Sequence, residues 1–339
     1  MTVWQDVALS AIYTLTPTHC GTGSTSGAID LPIAREAGSG FPVLPATSLK
    51  GVAREAWEKG NVQSTHPKEE PVTELFGPDP SKDETEVGLK AGRLAFTEGR
   101  LVAYPARAIN RPFLHVTCPL ILERLERDMR ALGFKGFPFP HPSISHSSHK
   151  VLVADKDLLG ESLVVEDLVY AKEEVNTSPE LTQLAQGLAA LLPRSEKATQ
   201  ERLQKGLVVI PDQDFHDLIQ RAVPVAARIK LTQGKTTTPY KDPVTGDTDE
   251  SGNLWYEEHL PAETLFVSFI GERRQVCGAN QKKSAEGNQG ESPPARVLGL
   301  DLFRQESDLI RVIQIGGNET VGQGVCFWNL HGNPWGISK

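Results

Sequence analysis

His19-Cys-Gly-Thr-Gly23 opens the stretch of sequence that decides the fold. The stretch continues through Gly27-Ala-Ile-Asp-Leu-Pro-Ile-Ala-Arg-Glu36 and ends with Phe41-Pro-Val-Leu-Pro-Ala-Thr-Ser-Leu-Lys-Gly51. Its first part is rich in glycine, serine and threonine, which cannot build a core. We therefore expect a loop whose backbone N–H groups stay free for a ligand. An acid, Asp30, lies inside this loop.

A helix is predicted to follow the proline-bounded turn, with Thr47 or Ser48 as its N-cap. Ser48, Lys50 and the first free amides would then point outward together, which predicts an anion site. Lys50 and Arg54 lie in the first turns beside the glycine loop, so we expect them to bind anions while the other charges form a solvated face. The buried face is predicted from three-four spacing up to Gly60 and comprises Leu49, Val52, Ala53, Ala56 and Trp57.

The first hundred residues are predicted to form a strand, a helix and a second strand, in that order. Alternating apolar residues from Val7 to Leu15 predict a half-buried strand before the glycine loop, and Gly92 to Thr97 predicts a second strand after the helix. This order fits half of a ferredoxin-like or RRM-like unit, so we predict an α+β fold built on one such unit, which we call the palm. Residues 1–109 are predicted to form the first part of the palm.

Residues 110–205 are predicted to form a mainly helical insertion. Thr117 is the expected cap of one helix and Ser178 of another. Between them lies a loop rich in proline, serine and histidine. Its histidines could be a metal cluster, but their spacing matches no known site, so solvated loop residues are the preferred interpretation for His141, His146 and His149.

Residues 206–339 are predicted to complete the palm. A short buried strand, Gly206–Pro211, precedes a helix capped by Asp212. From Val225 to Leu231 one strand face is apolar and the other carries two cations. The polar run 232–254, which contains Lys235, is predicted to be a protruding β-hairpin.

A second glycine-rich loop follows a last predicted strand, Leu309–Ile315, whereas Gly271 to Pro294 is too polar and glycine-rich to pack. The glycines of residues 316–324 let the backbone come close to a ligand. Because no Gly-Lys-Ser/Thr ending is present, this loop is not an NTPase phosphate loop.

Composition narrows the classes of protein. The 339 residues are 39% hydrophobic and 23% charged, as in soluble globular proteins, and no apolar run approaches the ~20 residues of a membrane helix. The N-terminus lacks the features of a signal peptide, so we expect a cytoplasmic protein with no membrane partner. A net charge of −8 disfavours nonspecific nucleic-acid binding over the whole surface. No Cys-x-x-Cys pair occurs, so we expect small buried thiols at Cys20, Cys118, Cys277 and Cys326.

Three segments resemble the RAMP superfamily of CRISPR proteins: Asp30-Leu-Pro-Ile-Ala-Arg-Glu36, the run from Phe41 to Gly51, and Ile315-Gly-Gly-Asn-Glu-Thr-Val-Gly-Gln-Gly324. They look most like the backbone subunit of the type III-B (Cmr) effector complex. The resemblance implies a ferredoxin-like RAMP core with a hairpin thumb that kinks the guide–target duplex. It also implies four kinds of partner: a CRISPR guide RNA, a target single-stranded RNA, copies of the same chain along the guide, and other subunits of the complex.

The same resemblance suggests an endoribonuclease. RNA cleavage needs an in-line nucleophile, which the adjacent 2′-hydroxyl supplies, and a carboxylate that acts as a base or holds a divalent cation. Asp30 matches the family's catalytic aspartate and would be the ligand of Mg²⁺ or Mn²⁺. Glu257 or Glu258 lies in a segment similar to one that carries a secondary acid. On sequence grounds alone, an aspartate before Leu-Pro is more often a turn residue.

The glycine loops and neighbouring cations are expected to hold guide-RNA phosphates without reading bases. The expected contacts are His19, Gly21, Gly23, Ser48, Lys50, Gly51, Arg54, Arg228, Lys235, Gly316, Gly317, Gly322 and Gly324. A structural role is an equal alternative for His19. Arg35 and Glu36 are expected to pair with each other or with a neighbouring subunit.

Two further hypotheses stay open from the sequence. The chain could be an inert guide-binding backbone subunit, which the presence of Asp30 disfavours. It could instead be an unrelated enzyme that binds a phosphate or nucleotide through its glycine loops, and a copurified nucleotide would favour that hypothesis.

Overall fold

A computed structural model describes the protein over residues 3–25, 27–58, 72–78, 91–109, 111–134, 150–231, 235, 240–241, 244–249, 254–273, 300 and 312–332. The strands in these ranges are β1 Asp6–Thr14, β2 Val43–Leu44, β3 Leu94–Phe96, β4 Gly99–Arg107, β5 Phe113–Thr117, β6 Val151–Val153, β7 Ser162–Val165, β8 Leu168–Ala171, β9 Val175–Thr177, β10 Leu207–Val209, β11 Val225–Ile229, β12 Tyr240–Lys241, β13 Thr248–Asp249, β14 Leu254–Glu258, β15 Leu265–Glu272, β16 Val312–Gln314 and β17 Val325–His331. The helices are α1 Ala46–Glu58, α2 Val72–Phe76, α3 Pro119–Ala131, α4 Pro179–Ala189, α5 Lys197–Gly206 and α6 Asp212–Ala222.

Four neighbouring strands form the centre of the main sheet in the spatial order β17, β1, β15, β4. Every neighbouring pair among them is antiparallel. In chain order these are the fourth, first, third and second strands, which is the arrangement of a ferredoxin-like unit, and α1 lies on the crossover between β1 and β4. The predicted α+β fold with an RRM-like core is confirmed.

The main sheet extends past this centre on both sides. β16 pairs with β17 at one end, and β5, β10, β6 and β9 continue the sheet beyond β4 at the other. Three of these added strands belong to residues 110–205. The prediction of a mainly helical insertion therefore missed the strands by which this segment joins the sheet, and the three-part division of the chain stays a prediction.

Both faces of the sheet are covered. In β1, Ala8 and Ile12 belong to one hydrophobic core, which α1 and α6 help to form, while Leu9, Ala11 and Tyr13 belong to a second core with α4 and α5. The prediction of a half-buried strand was wrong because helices pack on each side. Its even-numbered polar residues Ser10 and Thr14 are buried as well.

The starts of α1, α3 and α6 differ from the sequence prediction by one to three residues. The Pro45 carbonyl accepts the Leu49 N–H (3.1 Å), so α1 begins at Ala46 and the predicted caps lie inside its first turn. Asp212 does not cap α6, which begins at this residue. Its carboxylate accepts the Leu120 N–H of α3 (2.9 Å), a role that the sequence assigned to Thr117. Ser178 caps α4 as predicted, accepting the Leu181 N–H (3.0 Å).

A separate two-stranded ribbon is formed by β11 and β14. The alternation of residues 225–231 correctly predicted a strand, but its apolar face is exposed rather than packed: Val225, Ile229 and Leu231 are each about half exposed. The ribbon leads into the predicted hairpin, of which β12 and β13 form a described pair.

Other predictions concern the remaining loops and ends. Gly271 lies within buried β15, because β1 and β3 pair with that strand on either side, so the predicted polar loop begins later than expected. The loop histidines 141, 146 and 149, Cys277 and most of residues 232–253 and 274–294 lie outside the described residues. Cys20, Cys118 and Cys326 are buried free thiols, as predicted. Among the described helices, none is both long enough and apolar enough to cross a membrane.

Candidate functional site

Strand β14 is where the segments singled out by the sequence converge. Thr18 and Leu260 exchange backbone hydrogen bonds of 2.9 and 2.8 Å, which brings the first glycine loop to the end of β14. Leu31 lies along the same strand: its N–H donates to the Tyr256 carbonyl (3.0 Å) and its carbonyl accepts the Glu258 N–H (3.0 Å). The residues on either side of the first loop are therefore fixed on one strand.

The two glycine loops meet at this point, as the sequence predicted. The Gly317 N–H donates to the His19 carbonyl (2.9 Å), and the Gly324 N–H donates to the Pro17 carbonyl (2.9 Å). Gly316 has a φ of +87°, and a Cβ atom there would lie 2.2 Å from the His19 carbonyl oxygen. Only glycine allows this approach of two backbones.

Glu257 is the centre of the site. Its carboxylate is buried, with a side chain only 4% exposed. Arg228 Nε donates to Oε2 at 3.1 Å, and the Asn318 side-chain amide donates to Oε1. Nδ1 of His19 and Nε2 of His259 each lie 3.6 Å from Oε1. The predicted residues Glu257, His19 and Arg228 are thus brought together around one carboxylate.

The tautomer of His19 follows from its partner. Nδ1 lies 2.8 Å from the Glu258 carbonyl oxygen, which can only accept, so Nδ1 carries a proton. In the neutral ring Nε2 is then a lone-pair nitrogen. Burial lowers the pKa of His259 below its ordinary value, outweighing the nearby Glu257 carboxylate, which raises it.

Glu258 has a different role from its neighbour. Its Oε2 accepts the Ile33 N–H (3.0 Å) and its Oε1 accepts Arg35 Nη2 (3.0 Å). These contacts hold the segment after Asp30 in place. Arg35 and Glu36 do not pair with each other, since Glu36 forms two 2.7 Å hydrogen bonds with Arg124.

Asp30 lies at the edge of β14, half-buried. Its Oδ2 accepts the Tyr256 backbone N–H at 2.7 Å. Oδ1 makes no hydrogen bond with the described residues, so one carboxylate oxygen is held and the other is available. The next residue, Leu31, bridges to Glu257, which places the Asp30 backbone directly beside the Glu257 network.

The start of α1 provides a group of cations. Burial, and then the nearby Arg54 and Arg273, lowers the pKa of the Lys50 ammonium. Lys50 has no carboxylate partner among the described residues, and with Arg273 it lines a cavity of about 500 Å³. Arg54 is already engaged, with Nε on Glu58 (2.9 Å) and Nη1 on the Gly77 carbonyl (3.0 Å).

The other predicted contacts differ in their exposure. Gly21, Gly23, Gly51, Gly322 and Lys235 are exposed, whereas Gly324 is buried and Ser48 half-buried. A Cβ at Gly21 would lie 2.5 Å from His19 Nε2, while Gly23, Gly51 and Gly322 face open space.

Sequence reasoning missed three site residues. His259 follows Glu257 by two positions, so the strand period alone places both on one face and could have revealed it. Asn318 donates to Glu257 from a left-handed backbone conformation (φ +63°), which the sequence did not predict. Arg273 joins Lys50 through the pairing of distant strands, for which the sequence holds no local signal.

The described residues contain no group of three or more histidine, cysteine, aspartate or glutamate side chains placed to hold a metal ion. Mg²⁺ commonly keeps several waters and binds through one or two carboxylates together with substrate phosphates. The available oxygen of Asp30 fits that sparse mode of binding.

Comparison with known proteins identifies the family. The model of the RAMP superfamily matches residues 11–326. The CRISPR system Cmr endoribonuclease Cmr4 of Pyrococcus furiosus is 30% identical over 321 residues, covering 93% of this chain and 92% of that protein.

Solved structures agree in fold. The crystal structure of oligomeric Cmr4 from Pyrococcus furiosus matches with a TM-score of 0.64 and 24% identity, covering 96% of this chain and 97% of the other. A chain of the type III-B Cmr-beta complex bound to cognate target RNA matches with a TM-score of 0.60 and 19% identity, covering 97% and 98% of the two chains. The chain belongs to the RAMP superfamily and, within it, to the Cmr4 family.

Proposed function

We propose that this chain is the guide-RNA-binding backbone subunit of a type III-B CRISPR complex, and that it cleaves complementary target RNA. The name of its Pyrococcus furiosus relative, an endoribonuclease of the Cmr system, supports the activity. The observation that carries the proposal is the placement of Asp30. One oxygen of this carboxylate is fixed by a strand N–H, the other has no hydrogen-bond partner in the part of the chain that the structure describes, and the two glycine loops meet beside it.

In the proposed reaction the 2′-hydroxyl of the target attacks the adjacent phosphate in line and forms a 2′,3′-cyclic phosphate. The bond to the 5′-oxygen breaks, and this oxygen takes a proton from water and leaves as a hydroxyl group. Asp30 accepts the proton of the hydroxyl or holds a divalent cation near the phosphate. A bound Mg²⁺ or Mn²⁺ would supply charge stabilisation at the phosphate oxygens. Glu257 keeps Arg228, His19 and Asn318 fixed around the strand, so their orientation is set before RNA binds.

Guide binding is assigned to the backbone and to cations rather than to base-specific contacts. The amides of Gly316 and of residues 21–23, together with Lys50 and Arg273, would contact phosphates, which lets one protein accept any guide sequence. Several copies would lie along the guide, in keeping with the oligomer described for the related crystal structure. The other subunits of the complex would complete the assembly.

The test is an Asp30→Asn variant in the reconstituted complex. Asparagine keeps the size of the side chain but removes its negative charge, so we expect target cleavage to fall by about a thousandfold or more. Guide binding and assembly should be unchanged in gel filtration. Asp217→Asn, on the surface of α6, is the matched control and should cleave like the wild type.

Removal of divalent cations with a chelator tests whether cleavage depends on a bound cation. EDTA should stop cleavage by the wild-type complex, and added Mg²⁺ or Mn²⁺ should restore it. Full cleavage by the Asp30→Asn complex would refute the proposed catalytic role and would favour an inert backbone subunit with another nuclease in the complex.

A further inference from the structure

The ribbon of β11 and β14 has an inner face that continues from the Glu257 network. Directly paired residues share a face, and the pairs are Ala226 with Glu257 and Arg228 with Trp255. Trp255 is therefore on the same side as Glu257, two residues away along β14 or about 7 Å. Trp255 is also the direct cross-strand partner of Arg228, whose guanidinium Glu257 holds.

Trp255 differs from the core residue Trp328. It is half-buried, its indole N–H has no hydrogen-bond partner among the described residues, and no aromatic ring in the described ranges packs against it. The core residue Trp328 shows the ordinary arrangement, since it is buried and its Nε1 donates to Ser10 Oγ at 2.6 Å. A large aromatic ring with neither a ring partner nor a satisfied N–H is the kind of surface that ligands use.

The surroundings of Trp255 favour a nucleic acid over a protein. The side chain of Arg228 is one-third exposed. Lys230 and Lys235, which follow β11 along the chain, are exposed. The outer face of the ribbon, by contrast, presents the apolar residues Val225, Ile229 and Leu254. Aromatic rings interleaved with cations bind single-stranded nucleic acids, because every base has a π-face and every linkage a phosphate.

We propose that Trp255 is a stacking platform for one unpaired RNA base, with the guanidinium of Arg228 at its edge. This inference rests on the proposed function. Stacking reads no sequence, as a subunit that accepts any guide requires. A base fixed on Trp255 would place its sugar and phosphate toward the Glu257 network. Trp255 is thus a positioning residue, and the base can come from the guide or from the target.

Binding of single-stranded RNA by the full-length chain tests the platform, in an Asp30→Asn background so that the RNA stays intact. Base stacking on an aromatic residue is worth about 1–3 kcal/mol, so Trp255→Ala should weaken binding about 5- to 150-fold. Trp255→Phe should retain most of the affinity. Trp255→Leu, which keeps apolar bulk but has no π-face, should behave like Trp255→Ala.

Leu254→Ala is the matched control, since it changes the neighbouring residue on the opposite face and should bind RNA like the parent. If Trp255→Leu also binds like the parent, the platform is refuted. Thermal unfolding of each variant shows whether a loss of binding comes from a loss of folding. If Trp255→Ala does not fold, the comparison of Trp255→Leu with Trp255→Phe decides, because weaker binding by the leucine variant supports the platform and equal binding refutes it.

Photocrosslinking distinguishes the two sources of the base. 4-Thiouridine is placed at successive positions of the guide in one arm and of the target in the other, within the reconstituted Asp30→Asn complex. A crosslink on the peptide that contains Trp255 in either arm supports the platform and names the strand, and its absence from both arms overturns it. Because crosslinking needs no cleavage, this result stands apart from the outcome for Asp30.

Discussion

Two networks in this protein contain histidine, glutamate and arginine, but they bury different members. In the candidate site the carboxylate of Glu257 is innermost and Arg228 reaches solvent. In the second network His115 is wholly buried, while Arg202 and Glu263 pair at 2.8 Å nearer the surface. Within this second network the hydroxyl of Tyr13 connects Glu263 with His115: it donates to Glu263 at 2.6 Å and lies 3.2 Å from His115 Nε2.

The two networks differ in the free energy that is needed to bury their innermost side chain. A buried carboxylate is stable only when several donors and cations compensate it. For Glu257 these come from β11, from His259 just after β14, and from both glycine loops. A buried neutral histidine needs much less compensation. Nε2 of His115 lies within hydrogen-bond distance of Tyr13, and its Nδ1 has no hydrogen-bond partner among the described residues. We therefore propose that the Glu257 network serves function and that the His115 network serves packing.

The largest expected effect concerns acid stability and the His115 network. Burial lowers the pKa of His115 to about 3, whereas in the unfolded chain the value is about 6.5. The stability contributed by the neutral ring is complete above pH 6.5. It falls by about 1.4 kcal/mol per pH unit as the pH drops towards 3, or about 5 kcal/mol in all.

Urea unfolding of the isolated chain between pH 7 and pH 4 measures this slope. His115→Leu should flatten it, because the titrating ring is gone. His216→Leu, which changes a half-exposed histidine on α6, is the control and should keep the wild-type slope. Equal slopes for all three proteins would show that His115 is not the group that senses acid.

The second prediction compares the same substitution at Glu257 and at Glu263. Glu257→Gln keeps the shape of the side chain but leaves Arg228 without its counter-charge, so we expect target cleavage to fall about 100-fold. Glu263→Gln should leave cleavage within about twofold and lower the free energy of unfolding by about 1 kcal/mol, because this pair is partly exposed. Single-turnover cleavage and urea unfolding measure the two effects. Similar losses of cleavage in both variants would erase the distinction between the networks.

Local patterns in the sequence predicted much of this site. The alternation in β1, the three-four spacing of α1 and the glycines at residues 316–324 each signal a structure within a short window. We expected both glycine loops to bind one ligand, and this expectation predicted that they meet. These features depend on neighbouring residues, which is why a single sequence can reveal them.

The rest depends on contacts between distant segments. Asp212 satisfies an N–H of another helix, and β17 is a central strand that no pattern marked. The sequence could not choose between Glu257 and Glu258 because the choice depends on which face of β14 turns toward His19. The exposed apolar face of β11 also reverses the usual rule that an apolar strand face is packed.

The third prediction tests the glycine loops, the element that the Glu257 network has and the His115 network lacks. Gly316 and Gly322 both have positive φ, +87° and +78°, so alanine at either position costs about 1 kcal/mol in backbone strain. Alanine at Gly316 would also force its Cβ against the His19 carbonyl, whereas Gly322 faces open space. We therefore expect Gly316→Ala to destabilise the chain by about 2 kcal/mol more than Gly322→Ala in urea unfolding. Gly316→Ala should also slow target cleavage, because separating the loops moves His19 and Asn318 away from Glu257. If the two variants unfold at the same urea concentration and cleave equally, the contact between the loops does not hold the network together, and the buried carboxylate must be compensated by Arg228 and His259 alone.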